Sequence, residues 1–206
     1  MIRIIGEVAG KIGLSLCLRE DIEFILRYLP RNGTLIEVGT FQGVTASILA
    51  SFRPDTKIIS IDPFNGLGWS IGTSPTREEC IDTWHRNVGG NTNQRLFVGT
   101  LEEYINSTEY EAGDVIFIDG DHTKLGCLVD LRLSMKAIKP TGRIMGHDYK
   151  VPDSKESREV GEALDIFLAE HRCFVEDSGG YTFLVGVLGC TKDRRRRRRD
   201  VRWISR

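Results

Sequence analysis

The chain has 206 residues, a formal charge of −1 and 40% hydrophobic residues, the size and make-up of one soluble domain with a full core. Its five cysteines (Cys17, Cys80, Cys127, Cys173, Cys190) are odd in number and form no C-x-x-C pair. That excludes a disulfide framework and a structural zinc site and predicts a reducing, cytoplasmic setting. No apolar run approaches the roughly 18 residues of a membrane span, and Glu7 and Lys11 interrupt any signal-peptide core.

Residues 15–29 (SLCLREDIEFILRYL) carry apolar side chains at helical spacing until Pro30 and Asn32-Gly33 end the pattern, which predicts an amphipathic helix and a turn. A short buried strand is expected at 34–38 (TLIEV), a helix at 44–52, and a strand at 57–61 (KIISI) ending at Asp62. The connection PFNGLGWSIGTSPT follows, rich in Gly, Ser and Thr. Either it covers a site with Trp69 against a substrate, or it is a disordered crossing. Then come a helix at 76–88, a strand at 96–98, a helix at 101–106, a strand at 114–118 (DVIFI), a helix at 125–138 and a strand at 143–145. This alternation reads as βαβ units around a parallel sheet covered on both faces. A helix at 156–170, a strand at 173–176, the turn Ser178-Gly179-Gly180 and a strand at 181–188 close the domain. Two strands joined so tightly run antiparallel. The expected fold is a single doubly wound α/β domain with a mostly parallel seven-stranded sheet and a final antiparallel strand.

Residues 191–206 carry nine Lys/Arg against Asp193 and Asp200, so the body, 1–190, is acidic and the tail basic. An acidic body offers phosphate no basic face. The run Arg194 to Arg199 is where a nucleic acid could be gripped, the alternative being a solvated, disordered appendage.

In an open parallel sheet the ligand lies at the carboxyl ends of the strands near the switch point, which here means Glu37 to Gly43, Asp62 and Asp119. The segment EVGTFQG sets Gly39 and Gly43 around a strand-to-helix turn, with Thr40 and Phe41 between them, so that backbone approaches a ligand closely. The pattern is G-x-x-x-G. A dinucleotide pyrophosphate needs the middle glycine and a bare helix N-terminus, which Phe41 and Gln42 would crowd, so an NAD-dependent oxidoreductase is the weaker enzyme reading. Asp62 stands where an acid would bind a ribose diol, or it caps the turn at Pro63.

The segments IEVGTFQGVT, ISIDPF, VIFIDGDHT and GRIMGHDY together resemble the class I S-adenosylmethionine-dependent methyltransferases, and among them the catechol-type O-methyltransferases and the small family that includes macrocin O-methyltransferase. The resemblance spans residues 33–188. It implies that Glu37 and Gly39 lie near the methionine part of the cofactor, that Asp62 holds the ribose and that Thr100-Leu101 approach the adenine. It also implies metal-ligand roles for Asp119 and Asp148. The third ligand of the catechol-type pattern falls on Tyr149, a poor Mg²⁺ ligand, so Mg²⁺ would need more water or His147, or would be absent.

Asp119, Asp121 and His122 after one strand and His147-Asp148 after its neighbour are expected to converge over the cofactor's sulfonium. Methyl transfer to an alcohol or phenol needs its hydroxyl oriented and deprotonated. His122 is the expected base and Asp121 the second choice. The plainer alternatives are that Asp121 caps the next helix and that His147 donates to a backbone carbonyl. His85 and His171 read as surface residues. The acceptor is expected to be a small hydroxylated molecule.

Overall fold

The computed structural model describes residues 17–66 and 75–187. Trp69 and Arg194 to Arg199 therefore lie outside the described residues.

The first helix, α1 (Arg19–Tyr28), buries Ile22, Phe24, Ile25 and Leu26 as its apolar spacing dictates, and with them an acid, Asp21. Strand β1 (Thr34–Val38) is buried throughout. It leads into α2 (Val44–Phe52), then β2 (Lys57–Asp62) and α3 (Arg77–Val88). Thr76 caps α3 in a capping box with Glu79, so the helix starts where the S/T-x-x-E signature puts it. Strand β3 (Gln94–Val98), α4 (Leu101–Ile105), β4 (Gly113–Ile118) and α5 (Lys124–Ala137) follow. Next are β5 (Ile138–Gly146), α6 (Lys155–His171), β6 (Cys173–Gly179) and β7 (Thr182–Val187).

The seven strands form one sheet in the order β3-β2-β1-β4-β5-β7-β6. Neighbours from β3 to β5 run parallel, and β7 is antiparallel to both β5 and β6. Successive residues face opposite sides of the sheet. On one side Ile36, Ile59, Ile116 and Ile144 pack with α4, α5 and α6. On the other, Leu35, Ile58, Val115, Phe117 and Met145 pack with α1 and α2. Several bounds differ from expectation, among them the start of α1 at Arg19, the start of β3 at Gln94 and two more at β5 and β6. Strand β5 begins at Ile138, which pairs with Gly113 ahead of a register shift that brings Arg143 opposite Val115. Strand β6 runs to Gly179, because the reversal is made one residue later, at Gly180 with φ +60°. Among the described residues no helix is long and apolar enough to cross a membrane.

Since β1 is flanked by β2 on one side and β4 on the other, the chain order reverses at β1 and leaves a crevice above the carboxyl ends of β1 and β4.

Candidate functional site

A cavity of about 630 Å³ fills that crevice. Its walls come from the turn after β1, from Asp62 and Pro63, from Gly99 to Glu102, from the segment after β4 and from His147-Asp148.

The turn after β1 is shaped by glycine. Gly39 has φ +86°, and a Cβ there would lie 2.2 Å from the carbonyl oxygen of Asp119 and 2.4 Å from Cα of Gly120. The loops after β1 and β4 thus touch backbone to backbone. Asp62 braces the turn from below. Its Oδ2 accepts from the N–H of Thr40 at 3.0 Å and of Phe41 at 2.8 Å, and its Oδ1 from Phe64 at 2.7 Å. A carboxylate has about four lone-pair positions, so backbone amides take three and one stays open to a ribose hydroxyl. Burial raises the Asp62 pKa against these three donors.

Two expected cofactor contacts are placed differently. Glu37 lies beneath the cavity wall, 1% exposed, with its Oε2 accepting from the Ser60 hydroxyl at 2.8 Å. It supports the turn from inside the sheet. Gly43 does not line the cavity either. Its φ of +73° starts α2, and a Cβ would come within 2.5 Å of the indole of Trp84. Trp84 in turn donates from Nε1 to the Thr40 hydroxyl, so Gly43 lets α3 reach the turn. Thr40, Phe41, Thr100, Leu101 and Asp119 line the cavity as expected.

Burial pushes the Glu37 carboxyl up to about 7 and, with Asp121 nearby, the Asp130 carboxyl also to about 7. Both pKa values are raised over the unfolded state, so their contribution to stability is complete below the ordinary carboxylate range and is lost as pH rises through 7. The ligand-free protein should therefore melt at lower temperature at pH 8 than at pH 5. Glu37→Gln should remove part of the fall, on the order of 3 kcal/mol for one fully buried carboxyl. A thermal melt that rises over that interval, or an equal fall in the variant, contradicts this. A second expectation concerns Asp62→Ala, which frees two amides of the turn and deletes the open acceptor. Calorimetric affinity for S-adenosylhomocysteine should drop by about 1.5–3 kcal/mol.

At the ends of β4 and β5, carboxylates and imidazoles alternate. Nε2 of His122 lies 2.9 Å from Oδ2 of Asp148 and 3.6 Å from Oδ1 of Asp119. Nδ1 of His147 lies 3.2 Å from Oδ1 of Asp119 and 3.6 Å from Oδ2 of Asp148. Its Nε2 lies 3.2 Å from Oδ2 of Asp21. Burial opposes charge on both rings, but the carboxylates prevail. The His122 pKa is pushed up to about 10, and that of His147, with an acid at each nitrogen, is held far above its ordinary value. Burial likewise opposes the anionic forms of Asp119 and Asp148, and the imidazoles override it and hold both pKa values down.

The residues expected at the reacting centre thus do meet, and the alternative of a His147 donating to a backbone carbonyl gives way to a buried ionic one. Asp121 is turned toward α5: its Oδ1 accepts from the N–H of Thr123 at 2.8 Å, and its carboxylate lies against Gly126. Thr123 itself is the cap of α5. Tyr149 leaves the site altogether, its ring stacked edgewise on Phe183 at 5.6 Å and covered by Lys150. Asp21 and Cys17, whose thiol donates to Oδ2 of Asp119 at 3.7 Å, were not singled out from the sequence. Asp21 could have been noticed as an acid on the apolar face of a helix. There it accepts from Leu18 N–H, Tyr181 N–H and the Thr182 hydroxyl as well as facing His147.

Both groups that the fold class implies fit these residues. The Gly39 turn presents bare backbone to the cavity, and Asp62 lines it with one acceptor position not taken by the amides. For a divalent cation, Asp119 and Asp148 offer two carboxylates with His122 beside them, the donor atoms of the three lying within 4.8 Å of one another. Two carboxylates completed by water can hold a divalent ion.

A doubly wound sheet with a G-x-x-x-G turn, an acid after β2 and carboxylates after β4 and β5 is the arrangement expected of an S-adenosylmethionine-dependent methyltransferase. A family model described as a methyltransferase domain matches residues 36–149, more than half of the chain, and the chain belongs to that family. A curated relative, the uncharacterized protein R132 of Acanthamoeba polyphaga mimivirus, is 25% identical over 170 residues, covering 76% of this chain and 67% of that protein. Solved structures share the fold. Cofactor-bound Rv0187 from MTB superposes with a TM-score of 0.59 at 14% identity, over 90% of this chain and 88% of that one. Aeropyrum pernix fibrillarin with natively bound S-adenosylmethionine gives 0.53 at 14% identity, over 87% and 73%. An O-methyltransferase family 2 protein from Planctomyces limnophilus in complex with apigenin gives 0.54 at 12%, over 89% and 60%.

Proposed function

We propose that this protein transfers the methyl group of S-adenosylmethionine to the hydroxyl of a small acceptor. The observation that carries the reading is the meeting of Asp119, Asp148 and His122 at the wall of the cavity whose floor is the Gly39 turn. Capping and core packing require no such cluster of enclosed carboxylates and imidazoles. In doubly wound sheets ligands lie across the strand ends at the switch point, and a sulfonium bound there would face this cluster.

Asp62 would hold the ribose through its open lone pair, and the turn at Gly39 would pass under the methionine part. Asp119 and Asp148 would hold a divalent cation such as Mg²⁺, whose charge would lower the pKa of an acceptor hydroxyl and of the neighbouring His122. His122, once its own proton has gone to solvent, would accept the hydroxyl proton at Nε2. His147 keeps the two carboxylates together from behind, and Asp21 fixes the orientation of its ring. Asp121, held by Thr123 N–H, stands by as the weaker candidate for the base. The acceptor oxygen attacks the methyl in line, and S-adenosylhomocysteine and the methyl ether leave in equal amounts.

The test is turnover of labelled S-adenosylmethionine with a panel of phenols and alcohols, with and without chelator. A methyl ether should form with at least one acceptor. Chelation should abolish turnover while leaving S-adenosylhomocysteine affinity within about threefold, because the ion touches the acceptor oxygen and not the adenosine. Methylation at nitrogen or carbon alone, or tight binding of NAD in place of S-adenosylmethionine, would overturn the reading.

A further inference from the structure

One wall of the cavity is formed by the start of α4, with Thr100, Leu101 and Glu102, and by a face of α5 that presents Gly126, Val129, Asp130 and Leu133. The spacing of those four places them on one side of the helix. Leu101, Val129 and Leu133 make this part of the cavity apolar, the surface a flat heteroaromatic ring would cover. Asp130 interrupts it. Its Oδ2 reaches under the loop after β4, 3.6 Å from where a Cβ of Gly120 would stand. No described residue offers its carboxylate a hydrogen bond or a cation, and its one electrostatic neighbour is another acid, Asp121. A largely enclosed acid without a partner is costly, and such a group inside a binding cavity is a candidate for ligand recognition.

Thr100, the residue expected nearest the adenine, is not free to read a base. Its hydroxyl accepts from Glu103 N–H and donates to Glu103 Oε2 to cap α4. This leaves two side-chain acceptors on that wall, Glu102, which is exposed, and Asp130, which is the more enclosed.

We propose that Asp130 is the specificity residue for the purine of the cofactor, accepting a hydrogen bond from the exocyclic amine of adenine between Leu101 and the Val129–Leu133 face of α5. The inference rests on the cofactor reading above. It makes the empty acceptor and the apolar wall two parts of one recognition surface: the side chains of Leu101, Val129 and Leu133 bind any purine, and Asp130 selects the aminated one.

The experiment is calorimetry at pH 8, where Asp130 is ionised, with S-adenosylhomocysteine and with its analogue lacking the 6-amino group, on the full chain and on Asp130→Ala. The wild-type protein should prefer the amino compound by about 10- to 100-fold, since a site built to accept a hydrogen bond is left unpaired by a ligand without the donor. Asp130→Ala should bind the two within about threefold of each other. Asp130→Asn, which keeps the shape and a weaker acceptor, should fall between. The same preference in Asp130→Ala as in wild type, or no preference in wild type while S-adenosylhomocysteine binds, overturns the assignment. Failure of S-adenosylhomocysteine to bind the wild-type protein overturns the cofactor reading and this inference together.

Discussion

Asp148→Asn should lower kcat by about 10²–10⁴ while leaving affinity for S-adenosylhomocysteine within about threefold. Asn is the informative replacement. Asp148 sits at φ +55°, a conformation that Asn tolerates and Ala does not, so the backbone and the shape of the wall are kept while the charge is lost. That charge has two duties. It faces Nε2 of His122 at 2.9 Å, and it is one of the two carboxylates that would hold a cation against the acceptor oxygen. With an amide there, His122 loses its nearer acid, and any ion loses half of its anionic ligands. A merely structural role would show as a falling melting temperature with proportional loss of cofactor binding. A kcat within about threefold of wild type would remove Asp148 from the reacting centre.

Gly39→Ala should be the most damaging single methyl group in the domain. The φ of +86° costs any L side chain on the order of 1–2 kcal/mol, and the new Cβ would have to displace the backbone of Asp119 and Gly120, 2.2–2.4 Å away. Backbone cannot swing aside as a flexible side chain can, so the loops after β1 and β4 must separate. A loss of about 3 kcal/mol or more follows, together with loss of cofactor binding. In a domain of this size that lowers the melting temperature by about 6–12 °C. Gly90 supplies the control: nothing lies within 4 Å of a Cβ built there, so Gly90→Ala should leave stability nearly unchanged. A Gly39→Ala protein that melts within about 2 °C of wild type would show that the two loops are not in contact.

The order of strands and helices was legible in the sequence because each element carries its own period. Near-continuous apolar runs in KIISI and DVIFI mark strands buried on both faces, Thr76 with Glu79 marks a helix start, and the glycines of EVGTFQG mark a tight turn. The convergence of Asp119, His122 and Asp148 was also legible, since consecutive parallel strands bring their carboxyl ends side by side whatever the details of packing. Only the tertiary structure decided what depends on contacts between distant segments. Asp21 is far from His147 in the chain, and nothing local to either predicts the ion pair that fixes the imidazole and raises its pKa. Likewise Gly43 reads as part of a ligand turn until Trp84 is seen against it. Asp130 reads as one more polar residue of an amphipathic helix until that helix is packed with its acid facing the cavity. Local sequence specifies elements because backbone geometry is short-ranged, whereas the charge state and purpose of a side chain are set by whichever neighbours the fold delivers to it.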